Sequence, residues 1–161
     1  MLDIEICIKN GTKTAWFVLP TSREEICSRL EIEDAQETFL IDSYTAPFTI
    51  NETDNINRLN EIANLYEEHS GHEVIDYLPN LVKEGFYSDI KNALEEIDNI
   101  YIYHGCNSML DIAYQFIEET GLLSNIPDNV QRYFNYDAYA RDMEIEGSFY
   151  FTGNDKELQI P

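Results

Sequence analysis

The chain has 161 residues, 43% of them hydrophobic, which suffices for one ordinary core or for two to three small ones in a row. Thirty-one acids face ten bases, a formal charge of −21, and this argues against a protein that itself grips phosphates, because that task needs clustered Lys and Arg. No stretch approaches the roughly 18 apolar residues of a membrane helix, and the start Met-Leu-Asp-Ile-Glu-Ile lacks the basic region of a signal peptide.

Leu2, Ile4, Ile6 and Ile8 alternate with Asp3, Glu5, Cys7 and Lys9, the pattern of a half-buried strand. Asn10-Gly11 suits a turn, and Ala15 to Leu19 reads as a second strand stopped by Pro20. Ser22 with Glu25 forms a capping box that opens a short helix with Ile26 and Leu30 inward. Thr38 to Tyr44 is a third strand candidate. Helical spacing then takes over at Ile56, Leu59, Ile62, Ala63 and Tyr66, with Gly71 as a stop. Pro79 can open the next helical stretch, whose inward positions are Leu81, Val82, Phe86, Ile90 and Leu94, through about Glu96.

Strand character returns at Ile100 to Tyr103. Met109, Ile112, Ala113, Phe116 and Ile117 then mark a one-sided helix ending at Gly121. A turn with Pro127, a second helical piece rich in Tyr and Phe, and a strand at Ser148 to Thr152 follow. Gly153-Asn154-Asp155 turns the chain so that Leu158 to Ile160 can pair back. The aromatic set Tyr133, Phe134, Tyr136, Tyr139, Phe149, Tyr150 and Phe151 reads as core, with part of it available to a dimer contact.

These changes of periodicity predict an α+β chain of three small domains. Residues 1–60 form an antiparallel sheet with one helix, 61–103 a run of short helices, and 104–161 an α+β part. The acids outnumber the bases in each part, 11 to 5, 10 to 2 and 10 to 3. The charge therefore coats folded structure and is not confined to a tail. Such self-repulsion destabilises a compact state.

Several of these stretches resemble the ArdA antirestriction family. The C-terminal block carries the resemblance most densely: Ile117-Glu118-Glu119-Thr120-Gly121 leads through Pro127 to Tyr136-Asp137-Ala138-Tyr139-Ala140-Arg141-Asp142 and Gly147. Trp16 to Pro20, Phe39 to Asp42, Pro47-Phe48, Leu59 to Ala63 and His104 to Ala113 follow the same family pattern in order. The chain departs from it in a shorter first turn and in Asn107 and Ser108, where acids are common. The resemblance implies an elongated, three-part cytoplasmic protein that dimerises through its C-terminal part. It further implies that the protein resembles bent B-form DNA, binds type I restriction–modification enzymes and protects incoming mobile DNA.

The residues by themselves reach only an acidic protein able to occupy a DNA-binding groove, and the resemblance supplies the target. Duplex DNA presents one charge per roughly 1.7 Å of axis, so 21 charges match about 36 Å, or about ten base pairs. The candidate partner-binding carboxylates of the middle part are Glu67, Glu68, Glu73, Asp76, Glu84, Asp89, Glu95, Glu96 and Asp98. Those of the C-terminal part are Asp111, Glu118, Glu119, Asp128, Asp137, Asp142, Glu144 and Glu146. For each taken singly, ordinary solvated surface is the stronger reading. A second reading is an acidic adaptor for another basic protein, such as a different DNA-binding defence complex or a nucleoid protein.

Catalytic constellations are weak. His69 and His72 flank Gly71, which breaks the helix that a metal site would need. Cys106 lies close to His104, but no third orienting group accompanies them. The pairs Glu95-Glu96 and Glu118-Glu119 are consecutive and do not share a helix face. No phosphate-cradling Gly-rich loop is present. Three widely spaced cysteines suit a reducing cytoplasm. The expectation is a binding protein without cofactor or metal, and not an enzyme.

Overall fold

The computed structural model describes residues 3–33 and 38–161, so the contribution of Leu2 to the first strand lies outside the described residues. The architecture is α+β, and the chain divides into two compact units, Met1–Glu95 and Glu96–Pro161. The helices of the middle stretch up to Glu95 group with the N-terminal sheet in the first of these units.

In the first unit, β1 (Glu5–Asn10) and β2 (Lys13–Val18) form a hairpin, and β3 (Ile41–Thr45) pairs with the other edge of β1. All pairings are antiparallel, and the β1–β3 register shifts between Cys7 and Ile8. Gly11 turns the hairpin at φ +61°, a conformation glycine adopts without steric cost. The alternation places Ile6, Ile8 and Phe17 on the buried side. The third strand begins at Ile41, later than the expected Thr38, because the Ile41 N–H bonds to the Glu52 carbonyl (2.9 Å) and the ladder to β1 starts only there.

The helix α1 (Arg23–Leu30) packs on β2 and buries Ile26 and Leu30. Its cap is half of the expected box. The Ser22 hydroxyl accepts from the Glu25 N–H (3.1 Å), while the Glu25 carboxylate accepts instead from the Thr21 hydroxyl (2.9 Å). The helix α2 (Ile56–Glu68) starts on Asn55, whose side chain accepts from the Arg58 N–H, and buries Ile56, Leu59, Ile62 and Ala63. It stops at His69, before Gly71. Asn60 ties α2 to the loop after β2: its side chain accepts from the Thr21 N–H (2.9 Å) and donates to the Thr21 carbonyl (2.7 Å). A 3₁₀ turn at Ile75–Tyr77, α3 (Leu78–Lys83, with Pro79 in its first turn) and α4 (Ile90–Glu95) complete the unit.

The second unit opens with a 3₁₀ turn at Ile97–Asn99 and β4 (Tyr101–His104). The helix α5 (Met109–Thr120) is capped by Ser108 and ends, as its sequence predicts, on Gly121 at φ +64°. The Tyr- and Phe-rich piece is split into α6 (Asp128–Gln131) and α7 (Tyr136–Glu146), because the Asn135 side chain caps a fresh start by accepting from the Ala138 N–H. The strands β5 (Ser148–Phe151) and β6 (Lys156–Ile160) follow, and the sheet order is β4-β6-β5. The last strand is therefore central, pairing antiparallel on both sides.

Tyr103, Cys106, Met109, Ile112, Ala113 and Ala140 form the core between sheet and helices, with Phe116, Tyr139, Met143 and Phe149 packed at its edge. Of the aromatic set read as core, Tyr139 and Phe149 pack against its edge, none is fully buried, and Tyr133 is 78% exposed. Small residues such as Ala113 and Ala140 occupy the centre, which leaves the rings stacked around the margin, as in the Tyr114–Tyr136 pair at 4.1 Å.

Candidate partner-binding surface

Seven of the seventeen candidate acids lie in the first unit and ten in the second. Fifteen are exposed, and Asp89 and Glu96 are half-buried. The burial of one helix face dictates this. On α2, α5 and α7 the apolar positions turn inward, and the acids at other angles face water. On α5, Asp111 and Glu118 are seven residues apart, so they share a face about 10 Å apart along the axis. The helix α7 repeats that spacing with Asp137 and Glu144, and adds Asp142 and Glu146 one turn apart.

Seven of these acids oppose the local electrostatics of the fold, while Asp111, Asp128 and Asp137 stand in first turns, where the helix dipole favours them. A helix C-terminus carries partial negative charge and favours cations. Yet α2 ends in Glu67 and Glu68, α4 in Glu95, α5 in Glu118 and Glu119, and α7 in Glu144 and Glu146. No basic residue stands in the last turn of any of the four. Helix stability would select against this arrangement, at a cost of roughly 0.3–1 kcal/mol per charge.

Some candidates also hold the structure together. Asp89 accepts from the Asn92 N–H (2.9 Å) at the start of α4 and pairs with Arg58 (3.4 Å). Glu95 stands 3.8 Å from Lys91, whose closer partner is Glu61 (2.6 Å). Glu96 accepts from the Asn99 side chain, and Asp111 from the Asn107 N–H. Glu119 accepts from the Tyr101 hydroxyl and from Gln115, both at 3.0 Å. That hydrogen bond, followed by burial, raises the Tyr101 pKa.

Sequence reasoning did not anticipate two features. The first is Glu157, buried at the centre of the second sheet with Tyr103 and Phe151 as its cross-strand neighbours. Its Oε2 has no hydrogen-bond partner among the described residues, and burial, then Asp155, pushes its pKa up to about 7. The second is a cleft of about 500 Å³ in the first unit, where Asp3 and Tyr66 join Glu67 and Asp76. No local signal marks either one. Both arise from pairings between residues far apart in sequence.

The candidate catalytic groups are engaged in local structure. The Cys106 thiol is buried and donates to the Gln115 side-chain carbonyl (3.1 Å). Burial, then Asp111, Glu157 and Glu119, raises its pKa, which disfavours a nucleophilic thiolate. The His72 ring accepts from the Val74 N–H (3.2 Å), and its centroid lies 6.5 Å from that of His69. Among the described residues no group of three His, Cys, Asp or Glu is placed to hold a metal ion, and no helix is long and apolar enough to cross a membrane.

The chain matches no curated protein. A model of the antirestriction protein (ArdA) family matches residues 10–157 and so takes in most of both units.

Proposed function

The chain belongs to the ArdA antirestriction protein family, whose members inhibit restriction and are not enzymes, and from that membership we propose that it acts by mimicking DNA. Its carboxylates stand in for the phosphates of a duplex and occupy the DNA-binding groove of a type I restriction–modification enzyme. The observation that carries this reading is the exposure of fifteen of seventeen candidate acids on a chain of net charge −21. Several of these acids stand in the last turn of a helix at a cost to the fold, as expected if they serve a partner. A positively charged groove would draw such a surface in quickly, and salt would weaken the attraction.

The protein acts as a homodimer joined through its second unit, which doubles the charged surface. Among the described residues, eight of the twelve exposed large hydrophobic side chains lie there, including Leu122, Ile126, Val130, Tyr133 and Ile145. Exposed apolar patches of this kind favour protein contacts. Two-fold symmetry would also suit an enzyme that reads two-part sites.

Adding the purified protein to a type I enzyme and its DNA tests the mechanism. DNA binding and cleavage should fall together, and changing the exposed acids of the second unit to amides should restore both. Unchanged DNA binding at micromolar inhibitor and low salt would defeat the proposal and favour an acidic adaptor for some other basic protein.

A further inference from the structure

Two clefts adjoin one another in the first unit, sharing Pro47 and Pro79. One, of about 690 Å³, has mixed charge: Arg58 and Lys83 with Asp54 and Asp89. The other, of about 500 Å³, has only acids among its charged lining residues: Asp3, Glu67 and Asp76, all exposed. Its remaining wall is largely apolar, with Ile4, Leu19 and Ala63 themselves buried. The cleft thus combines an apolar floor with a carboxylate rim.

The fold builds this combination deliberately from distant segments. The Leu19 N–H donates to the Ile4 carbonyl (2.8 Å), which sets those two side chains together. The Asn60–Thr21 pair of hydrogen bonds holds α2 to the same loop, and Ala63, Tyr66 and Glu67 follow one turn or two later on that helix. The 3₁₀ turn brings Asp76. The Tyr66 ring stacks on Phe48 at 5.7 Å, and its buried hydroxyl has no hydrogen-bond partner among the described residues.

We propose that this cleft is an anchor for one arginine side chain on a loop of the protein partner. An aliphatic stem can lie along Ile4, Leu19 and Ala63 while the cationic head stays at the wet rim, as long basic side chains do on apolar surfaces. Arginine suits the rim better than lysine, since its planar head has five donors and can bridge separate carboxylates. The volume falls within the roughly 300–1,000 Å³ of ordinary ligand sites, so the stem, the head and the adjoining backbone fit. Arginine is among the residues enriched at interface hot spots. This inference rests on the reading that the partner is a basic, DNA-binding protein. It adds a short-range contact that salt screens less than the distributed field.

The test uses the full chain and a type I enzyme at 50 mM and 300 mM salt. Ala63→Phe fills the floor, and Glu67→Gln with Asp76→Asn removes the rim charge with little change of shape. Each should raise the inhibitory concentration at least tenfold at 300 mM salt, with the far-ultraviolet circular dichroism and Tm of the double variant unchanged. Glu24→Gln with Glu33→Gln, the same loss of charge elsewhere on the first unit, should raise it less than threefold. Titration with Nα-acetyl-arginine amide, followed by NMR at Ala63 and Tyr66, should give shifts that the neutral citrulline analogue does not. If the wild type inhibits while the rim double variant inhibits equally well at both salts, the anchor is wrong and the DNA-mimic reading stands. If the wild type itself leaves DNA binding untouched, the underlying reading fails.

Discussion

In the first unit Lys13 pairs with Glu31, Arg58 with Asp89, and Lys91 with Glu61 and Glu95. In the second, twelve acids face three bases, and Arg132 turns its guanidinium to the Asn129 carbonyl (3.2 Å) and the Tyr133 ring (5.4 Å). One unit uses part of its charge to join its elements. The other carries seven acids along α5 and α7 against one base on those helices, Arg141. The exposed apolar side chains divide the same way, eight in the second unit against Trp16, Val18, Leu40 and Tyr44 in the first. A surface that is both acidic and apolar gains little for its own folding from either property. The contrast marks the second unit as the one richer in unbalanced acid and in exposed apolar side chains.

The contrast can be broken most decisively by moving charge. Changing Asp142, Glu144 and Glu146 of α7 to amides should weaken inhibition by roughly tenfold or more. It should also leave the stability of the second unit unchanged or raise it by a few tenths of a kcal/mol, because like charges one turn apart repel. Changing Glu24, Glu31, Glu33 and Glu61 should do the reverse: inhibition shifts less than threefold, and urea denaturation shows a small loss of stability from the exposed ion pairs of Glu31 and Glu61. Equal effects from the two sets would erase the distinction between the units.

Packing in the second unit offers a sharper, local probe. A Cβ at Gly147 would lie 2.7 Å from the Phe149 ring and 3.1 Å from the Met143 carbonyl. Gly147→Ala should therefore destabilise this unit by roughly 1–3 kcal/mol, read by urea denaturation.

Glu157 sets a pH dependence there. Its pKa is raised from 4.5 to about 7 in the folded chain. A carboxyl raised on folding contributes stability that is fully present at low pH and is lost as pH rises through about 7. Glu157→Gln should therefore flatten the fall in stability between pH 5 and pH 8, a difference on the order of 2 kcal/mol. In the first unit, Asn60→Ala should cost about 1–2 kcal/mol by stranding the Thr21 backbone groups, with no pH dependence over the same range.

Local signals were legible in the sequence wherever the cause is local. The end of α5 at Gly121, the Ser22 cap and the inward alternation of Ile4, Ile6 and Ile8 all follow from neighbouring residues. Strand ends were less so, because partners fix them: β3 waits for its bond to Glu52, and β6 extends back from the expected Leu158 to Lys156 because β4 and β5 pair with it on both sides. Glu157 reads as a surface acid until the last strand is known to be the middle one. The rings of Tyr133 to Tyr139 read as core because bulk and hydrophobicity predict burial, yet the small Ala140 takes the inner place on α7. Most candidate acids were legible as exposed, since an amphipathic helix declares its outer face. The cleft was not, because Asp3, Tyr66 and Asp76 come from segments far apart in sequence.

The most direct test of DNA mimicry is the inhibition of a type I enzyme measured against increasing concentrations of its unmodified duplex at fixed salt. If carboxylates occupy the groove, protein and duplex exclude one another, and the apparent inhibition constant should rise in proportion to duplex concentration. A constant that stays level as duplex increases, with enzyme, duplex and protein held in one complex, would contradict the account.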